Sequence, residues 1–213
     1  MRRSLISFGV GVVLWLGPGG QAHAREERRM GFKEQGGYLT ITGTVTDVFD
    51  AAQLARLSSG FVTYIVVRFV VHGPDDTGPV AIAFATRRVI FDRWDEEFHV
   101  ELTDAVTSRE RRIKSRADAL NVATTLWEVP VVPLSQIDIG PIYRMHVAVE
   151  VNPVSQESLA EVRRWLTRPQ GRTAAGTGSF FGAVVSLFVN PKLDEAERIL
   201  KFWSQPFYRV RGR

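Results

Sequence analysis

Residues 61–71, FVTYIVVRFVV, consist of β-branched and aromatic residues with a single charge, Arg68. Such residues favour extended backbone. A run that is apolar on both faces is typical of a strand covered from both sides rather than one that faces water. This segment therefore predicts a β-sheet with residues 61–71 near its middle.

The segments that follow predict antiparallel neighbours for this central strand. A Gly- and Pro-containing turn over residues 73–78 leads into a second long apolar run, and the acidic stretch Asp92–Glu97 is expected to form the next hairpin connection. Further strands are predicted over residues 38–45, 80–91, 98–102, 143–151 and 198–210, that over 143–151 having one polar face. This order is an antiparallel meander rather than a βαβ pattern.

Three short helices are predicted from their capping residues. The first begins after Asp50, with Gln53 completing a capping box, and the others begin after Ser115 and Ser155. The second and third helices have apolar stripes at Leu120, Ala123 and Trp127, and at Leu159, Val162 and Leu166, and are followed by Pro130 and Pro169. The expected fold is α+β, with a mainly antiparallel sheet or sandwich of about six or seven strands and three short helices.

Residues 1–24 have the pattern of a secretory signal peptide. Two arginines precede the apolar stretch Leu5–Leu16, and Ala22-His23-Ala24 supplies small residues for cleavage. The apolar stretch is short for a membrane span. We expect an exported protein that works in the periplasm or outside the cell, and an uncleaved N-terminal anchor is the alternative.

The rest of the chain predicts one domain. Residues 25–37 are charged and then glycine-rich, which indicates a flexible leader, and residues 38–213 are expected to form a single globular domain. Removal of residues 1–24 leaves 213 − 24 = 189 residues. That length is sufficient to bury a substantial core.

Composition excludes several classes of function. The chain contains no cysteine, which excludes disulfides, thiolate catalysis and cysteine metal sites. Without Arg2 and Arg3, 25 basic residues face 23 acidic ones, so the near-balanced charge gives no argument for nucleic-acid binding. The basic stretch 109–116 and the basic C-terminal tail are expected to be a solvated loop and tail; weak adhesion to anionic lipid or an acidic partner is the alternative.

No constellation of residues predicts a catalytic site, a metal site or a cofactor. No serine lies in a Gly-x-Ser-x-Gly elbow, and the histidines are widely separated along the chain. The acidic cluster Asp92, Asp95, Glu96 and Glu97 lacks the glycine and spacing of a calcium loop, so a solvated hairpin tip is expected. Metal-assisted hydrolysis by this cluster remains a hypothesis.

The apolar C-terminal segment is the candidate contact surface for a partner or ligand. Its residues recur at helical spacing with few polar neighbours, so it is either a buried helix or an exposed surface for a protein, a lipid tail or the membrane interface. The candidate residues are Phe180, Phe181, Val184, Leu187, Phe188, Trp203 and Tyr208. A carrier of an apolar ligand, the alternative to a protein-binding role, predicts a closed cavity.

Four segments resemble the exported bacterial proteins grouped as domain of unknown function 4390. They are residues 38–45 (YLTITGTV), 56–61 (RLSSGF), 63–68 (TYIVVR) and 89–98 (VIFDRWDEEF). The resemblance spans most of residues 38–166 and supplies no catalytic residue. Some members are similar to proteins encoded near envelope-sensing histidine kinases. The resemblance therefore implies a non-catalytic binding or accessory protein of the cell envelope, linked to signalling through an envelope or membrane protein partner. The sequence leaves the oligomeric state of the protein open.

Overall fold

A computed structural model describes residues 26–74, 78–152 and 196–210. Within these ranges the chain forms ten strands, two α-helices and two short 3-10 turns. The strands are β1 (Glu27–Arg28), β2 (Gly31–Gln35), β3 (Tyr38–Thr44), β4 (Thr63–His72), β5 (Pro79–Asp92), β6 (Glu97–Thr103), β7 (Ser108–Ile113), β8 (Thr125–Pro133), β9 (Arg144–Val151) and β10 (Arg198–Ser204). The helices are α1 (Ala51–Leu57) and α2 (Arg116–Thr124), and the turns are Thr46–Val48 and Leu134–Gln136.

The strands form two sheets, and β4 lies in the middle of the larger one. The seven-stranded sheet has the order β1-β10-β9-β4-β5-β6-β7, and the three-stranded sheet has the order β2-β3-β8. Strand β4 pairs antiparallel with both β5 and β9. The pairing of β1 with β10 is parallel. The predictions of a central strand at residues 61–71 and of a mainly antiparallel sheet are confirmed.

The main core lies between the two sheets. Ile65, Val67, Phe69 and Val71 on one face of β4 belong to the same buried cluster as Ile41 of β3, Leu126 and Val129 of β8, and Ala119 of α2. On β5 the inward positions are Ala81, Ala83 and Ala85. These short side chains let β8 and α2 pack close to the large sheet.

The second face of β4 is also buried. Val66, Arg68 and Val70 on this face are nearly inaccessible to water. Arg68 Nη2 donates a hydrogen bond of 2.9 Å to Glu150 Oε2 of β9. Burial raises the pKa of Glu150, and the charge of Arg68 opposes that shift. The expectation of a polar face on residues 143–151 is wrong at Ala148 and Glu150, because both are buried.

Both described helices begin at the predicted residues. The Asp50 side chain accepts hydrogen bonds from the backbone N–H groups of Ala52 and Gln53, and the Gln53 side chain accepts one from the backbone N–H of Asp50. Ser115 accepts from the N–H of Asp118 at the start of α2. The third predicted helix, which begins after Ser155, lies outside the described residues.

Helix α2 is shorter than predicted. It ends at Thr124, and the residues that follow form β8, so Trp127 lies on a strand rather than on the helix stripe. The register between β3 and β8 shifts beside Pro130, and Glu128 has a positive φ of 47°. These irregularities accommodate Pro130 inside the sheet, so the prediction that this proline ends a helix is wrong.

The basic stretch beginning at Arg109 is not a loop. Residues 108–113 form strand β7, which pairs antiparallel with β6 at the end of the seven-stranded sheet. Five of its six residues are exposed, which is why its sequence lacks the apolar alternation of the other strands.

Residues 27–35 form strands, so the prediction of a flexible leader over 25–37 is wrong for this part. Strand β1 joins the large sheet and β2 joins the small one, with the buried Met30 between them. The side chain of Gln205 pairs with the Met30 backbone, accepting from its N–H at 2.8 Å and donating to its carbonyl at 2.7 Å. The position of this segment therefore depends on Gln205, which is distant in sequence. Local sequence patterns do not show such a contact.

Removal of one partner from the buried ion pair is expected to destabilise the fold strongly. Arg68→Met leaves the Glu150 carboxylate buried without its cation and should lower the free energy of unfolding by about 3–5 kcal/mol in urea denaturation. The double variant Arg68→Met/Glu150→Leu should recover most of that loss. A single variant as stable as wild type would contradict this role for the pair.

The stability lost in Arg68→Met should depend on pH. Loss of Arg68 raises the pKa of Glu150 further above its unfolded value, so protonation then favours the folded state. The stability deficit of Arg68→Met should be small near pH 4.5 and grow as the pH rises to 7.5. Urea denaturation of variant and wild type at both pH values measures the difference.

Loss of the Gln205 bridge is expected to release the N-terminal strands. Gln205→Ala removes both hydrogen bonds to Met30 and should cost about 1–3 kcal/mol. Gln205→Glu keeps the acceptor but places a carboxylate oxygen against the Met30 carbonyl, so it should be at least as unstable. Hydrogen exchange of the β1 and β2 amides should accelerate in both variants, and unchanged protection would contradict the prediction.

Candidate functional site

A pocket of about 340 Å³ opens where the β6–β7 end of the large sheet meets α2 and β8. Its wall combines the four strands β5, β6, β7 and β8, the helix α2 and the turn that joins β6 to β7. The lining residues are Arg87, Leu102, Asp104, Thr107, Arg109, Arg111, Asn121, Val122, Thr125, Trp127 and Val129. A volume of this size is sufficient for a small ligand or for one group of a larger partner.

The guanidinium of Arg87 is the buried charge of this pocket. Arg87 is 3 % exposed and lies on the core-facing side of β5, at a position that follows three alanines in alternation. Its Nη1 donates to the carbonyl oxygens of Thr86 at 3.0 Å and Thr103 at 3.5 Å. Its Nε is buried without a hydrogen-bond partner, and Arg87 forms no ion pair with any described residue.

The surroundings of Arg87 disfavour its positive charge. Burial lowers the pKa of Arg87 to about 10, the charge of Asp104 opposes this shift, and the charge of Arg109 adds to it. A pKa near 10 still leaves the guanidinium protonated at neutral pH. The Arg87 guanidinium in the pocket has therefore lost its hydration, and its hydrogen bonds to two carbonyl oxygens replace only part of it.

The charges that line the pocket are unbalanced. Three arginines face one carboxylate, so the lining has a net charge of 3 − 1 = +2. Asp104 is occupied within its own turn, where its carboxylate accepts from the backbone N–H groups of Val106 and Thr107 and from the Thr107 hydroxyl. Arg109 and Arg111 form no ion pairs among the described residues. An incoming anion would meet an excess of positive charge.

The remaining wall contains an apolar side and hydrogen-bonding groups. Leu102, Val122 and Val129 line the pocket, and Trp127 is 67 % exposed beside them. The Thr125 hydroxyl donates to Asn121 Oδ1 at 3.0 Å, which leaves the amino group of Asn121 as a donor at the wall. This arrangement suits a ligand that combines an anionic group with an apolar or planar body.

Most of the contact surface predicted from the sequence lies outside the described residues, namely Phe180, Phe181, Val184, Leu187 and Phe188. The two remaining members are separate from the pocket. Trp203 of β10 packs its ring 5.2 Å from those of His72 and His146, and it is only partly buried. Tyr208 follows β10 and is 64 % exposed.

The acidic cluster at residues 92–97 forms the tip of the β5–β6 hairpin. Asp92 accepts from the backbone N–H groups of Trp94 and Asp95, and these bonds lower its pKa. Across the described part of the chain, no group of three or more His, Cys, Asp or Glu side chains is placed to hold a metal ion. The structure gives no support to the hypothesis of metal-assisted hydrolysis by this cluster.

Sequence reasoning missed Arg87, although the sequence contains a signal for it. Ala81, Ala83, Ala85 and Val89 share one face of β5 with Arg87, so the alternation places the arginine among core positions. The pocket itself was not predictable in this way. Its wall brings together residues from 87 to 129 that contact only in the folded chain.

Comparisons with known proteins give no further identification. A scan against protein-family models found no match, and searches of curated proteins and of solved structures found none either. The resemblance to domain of unknown function 4390 therefore stays a prediction. The helices among the described residues are all too short or too polar to cross a membrane.

Replacement of the buried guanidinium should not destabilise the protein. Because burial lowers the folded pKa of Arg87 to about 10, its charge costs stability at every pH below that value, and the cost disappears as the pH rises further toward the higher pKa of the unfolded chain. Arg87→Met should therefore melt at a temperature equal to or several degrees above that of wild type at pH 7. Thermal denaturation measures this, with the exposed Arg116→Met as matched control. A clear fall in melting temperature for Arg87→Met alone would mean that Arg87 is structural.

Proposed function

We propose that this chain is an exported bacterial cell-envelope protein that acts by binding and not by catalysis. The signal-peptide pattern of residues 1–24 supports export. The pocket lining supports a binding role, since it contains converging cations and no histidine or cysteine. The resemblance to domain of unknown function 4390 supports an accessory role in envelope signalling, through an envelope or membrane protein partner.

The ligand group that we propose for the pocket is a carboxylate or phosphate with an apolar or planar body. The observation that carries this proposal is the buried Arg87, whose charge no described carboxylate pairs and whose Nε has no hydrogen-bond partner. Hydrogen bonds between charged groups are roughly twice as strong as neutral ones. An anion beside Arg87 would offset the cost of burying the guanidinium.

This proposal differs from a carrier of a wholly apolar ligand. Such a carrier was expected to have a closed cavity, whereas this pocket is open and contains charged groups in its lining. The apolar side, with Leu102, Val122 and Trp127, supports contact with the body of the ligand. The charged side supports selection of an anion over a neutral molecule of the same shape.

Calorimetric titration with phenyl phosphate, benzoate and uncharged phenol tests the anion proposal. Wild type should bind the two anions at least tenfold more tightly than phenol, and higher salt should weaken anion binding. Arg87→Met should bind both anions at least tenfold more weakly than wild type, because it lacks the charged donor.

Arg116→Met is the matched control for that titration. It removes one arginine from the exposed start of α2, outside the pocket lining, and should leave both affinities unchanged. Equal binding of phenol and benzoate would overturn the anion proposal. Equal losses in the two arginine variants would show that net charge, and not the pocket, attracts the anions.

A further inference from the structure

Strand β7 is an end strand of the seven-stranded sheet. Among the described strands it pairs only with β6, so the backbone groups on its other side face away from the sheet. All of its residues except Ile113 are exposed. A strand in this position is able to accept one more strand from a partner.

The charges of β7 are arranged by face. The register with β6 places Arg109 and Arg111 opposite Leu102 and Val100, on the face of the sheet where the pocket lies. Within the described part of the chain neither arginine forms an ion pair. Arg28, Arg56, Arg68 and Arg209 in contrast each pair with a carboxylate.

The opposite face of β7 has a different character. Glu110 Oε1 lies 3.2 Å from Nδ1 of His99, so its carboxylate is already engaged. Arg112 lies beside it on the same face. The charges of Glu110 and Arg112 on this face cancel, whereas both charged residues of β7 on the other face, Arg109 and Arg111, are basic.

We propose that β7 binds an extended acidic segment of a partner protein as an additional strand. Adjacent strands lie about 5 Å apart, and side chains alternate between faces. Acidic side chains at every second position of the segment would therefore lie directly beside Arg109 and Arg111. Neutral side chains at the intervening positions would lie beside Glu110 and Arg112.

The charges on β7 distinguish this partner from a second copy of the same chain. Two β7 strands, each with three arginines and one glutamate, would bring an excess of positive charge together when paired edge to edge, and like charges on neighbouring strands repel. An acidic segment gains attraction at the same positions. The edge therefore disfavours self-association and favours an acidic partner.

This inference goes beyond the pocket proposal and does not depend on it. Arg87 lies on β5, two strands inward from β7, at a lateral distance of about 10 Å. A side chain of an added strand would lie closer to Arg109 and Arg111 than to Arg87. Loss of Arg87 should therefore weaken binding of such a segment less than threefold.

The test uses an acetylated and amidated heptapeptide that alternates threonine and glutamate, Thr-Glu-Thr-Glu-Thr-Glu-Thr. Its control, Thr-Thr-Glu-Glu-Glu-Thr-Thr, has the same charge without alternation. Titration of the isotope-labelled protein followed by NMR should show the alternating peptide bound at least fivefold more tightly, with shifts concentrated at β7. Equal affinity for the two peptides would overturn the proposal.

Two N-methylated peptides distinguish strand addition from charge attraction alone. One is methylated at the three glutamate amides and the other at three threonine amides, so each set removes donors from one edge of the peptide strand. One set should abolish binding while the other leaves it within threefold of the parent peptide. Similar losses with both sets would contradict pairing along the edge.

Variants of the protein complete the test. Arg109→Gln/Arg111→Gln should weaken binding of the alternating peptide at least tenfold, while Arg112→Gln on the other face should weaken it less than threefold. Arg87→Met should retain peptide binding while losing small anions, so failure of either proposal is visible separately. Equal effects of the 109/111 and 112 variants would overturn the assignment of faces.

Discussion

Strand β4 runs between β5 and β9 with both faces out of water, and Arg68 is the one charge that this position must accommodate. A guanidinium loses several kcal/mol of hydration in such a place, and only a close carboxylate with good geometry offsets the loss. Glu150 provides it from the adjacent strand at 2.9 Å. A register slip of one residue between β4 and β9 would turn the two side chains to opposite faces, so the pair also fixes how these strands align.

The two buried arginines of the large sheet differ in how their charge is compensated. Arg68 on β4 and Arg87 on β5 are equally removed from water. The first meets a carboxylate on the adjacent strand, while the second meets two carbonyl oxygens and an open pocket. This contrast supports our proposal that the pocket beside Arg87 receives negative charge from a ligand.

Local patterns were sufficient for part of the fold. The apolar run of β4, the long β5, the turn at Asp92, the capping box at Asp50 and the cap at Ser115 are determined by residues close in sequence, and each was predicted. Strand β7 was missed because an exposed edge tolerates charged residues at every position. Strand β8 was missed because its prolines are accommodated at shifts in register that depend on β3.

The candidate site was less predictable, for a related reason. Alternation along β5 places Arg87 among buried positions, but nothing local shows that α2 and β8 leave space in front of it. The prediction of a flexible leader was wrong for a similar reason, since β1 pairs with β10 and the Met30 backbone pairs with Gln205. Contacts between residues so far apart in sequence depend on the complete topology of the fold. Local patterns in a single sequence do not predict that topology.

The pairing of β1 with β10 has a consequence for how the protein reaches its place of work. Synthesis runs from the N-terminus, so β1 and the Met30 backbone have no partners until residues 203–205 have been made. Because Met30 and Gln205 lie 175 residues apart, these contacts cannot form until most of the chain has been synthesised. For a protein that we propose is exported across a membrane, this delay is useful. The order of the strands would then help to keep the sheet incomplete, and the chain able to cross the membrane, until translocation is finished.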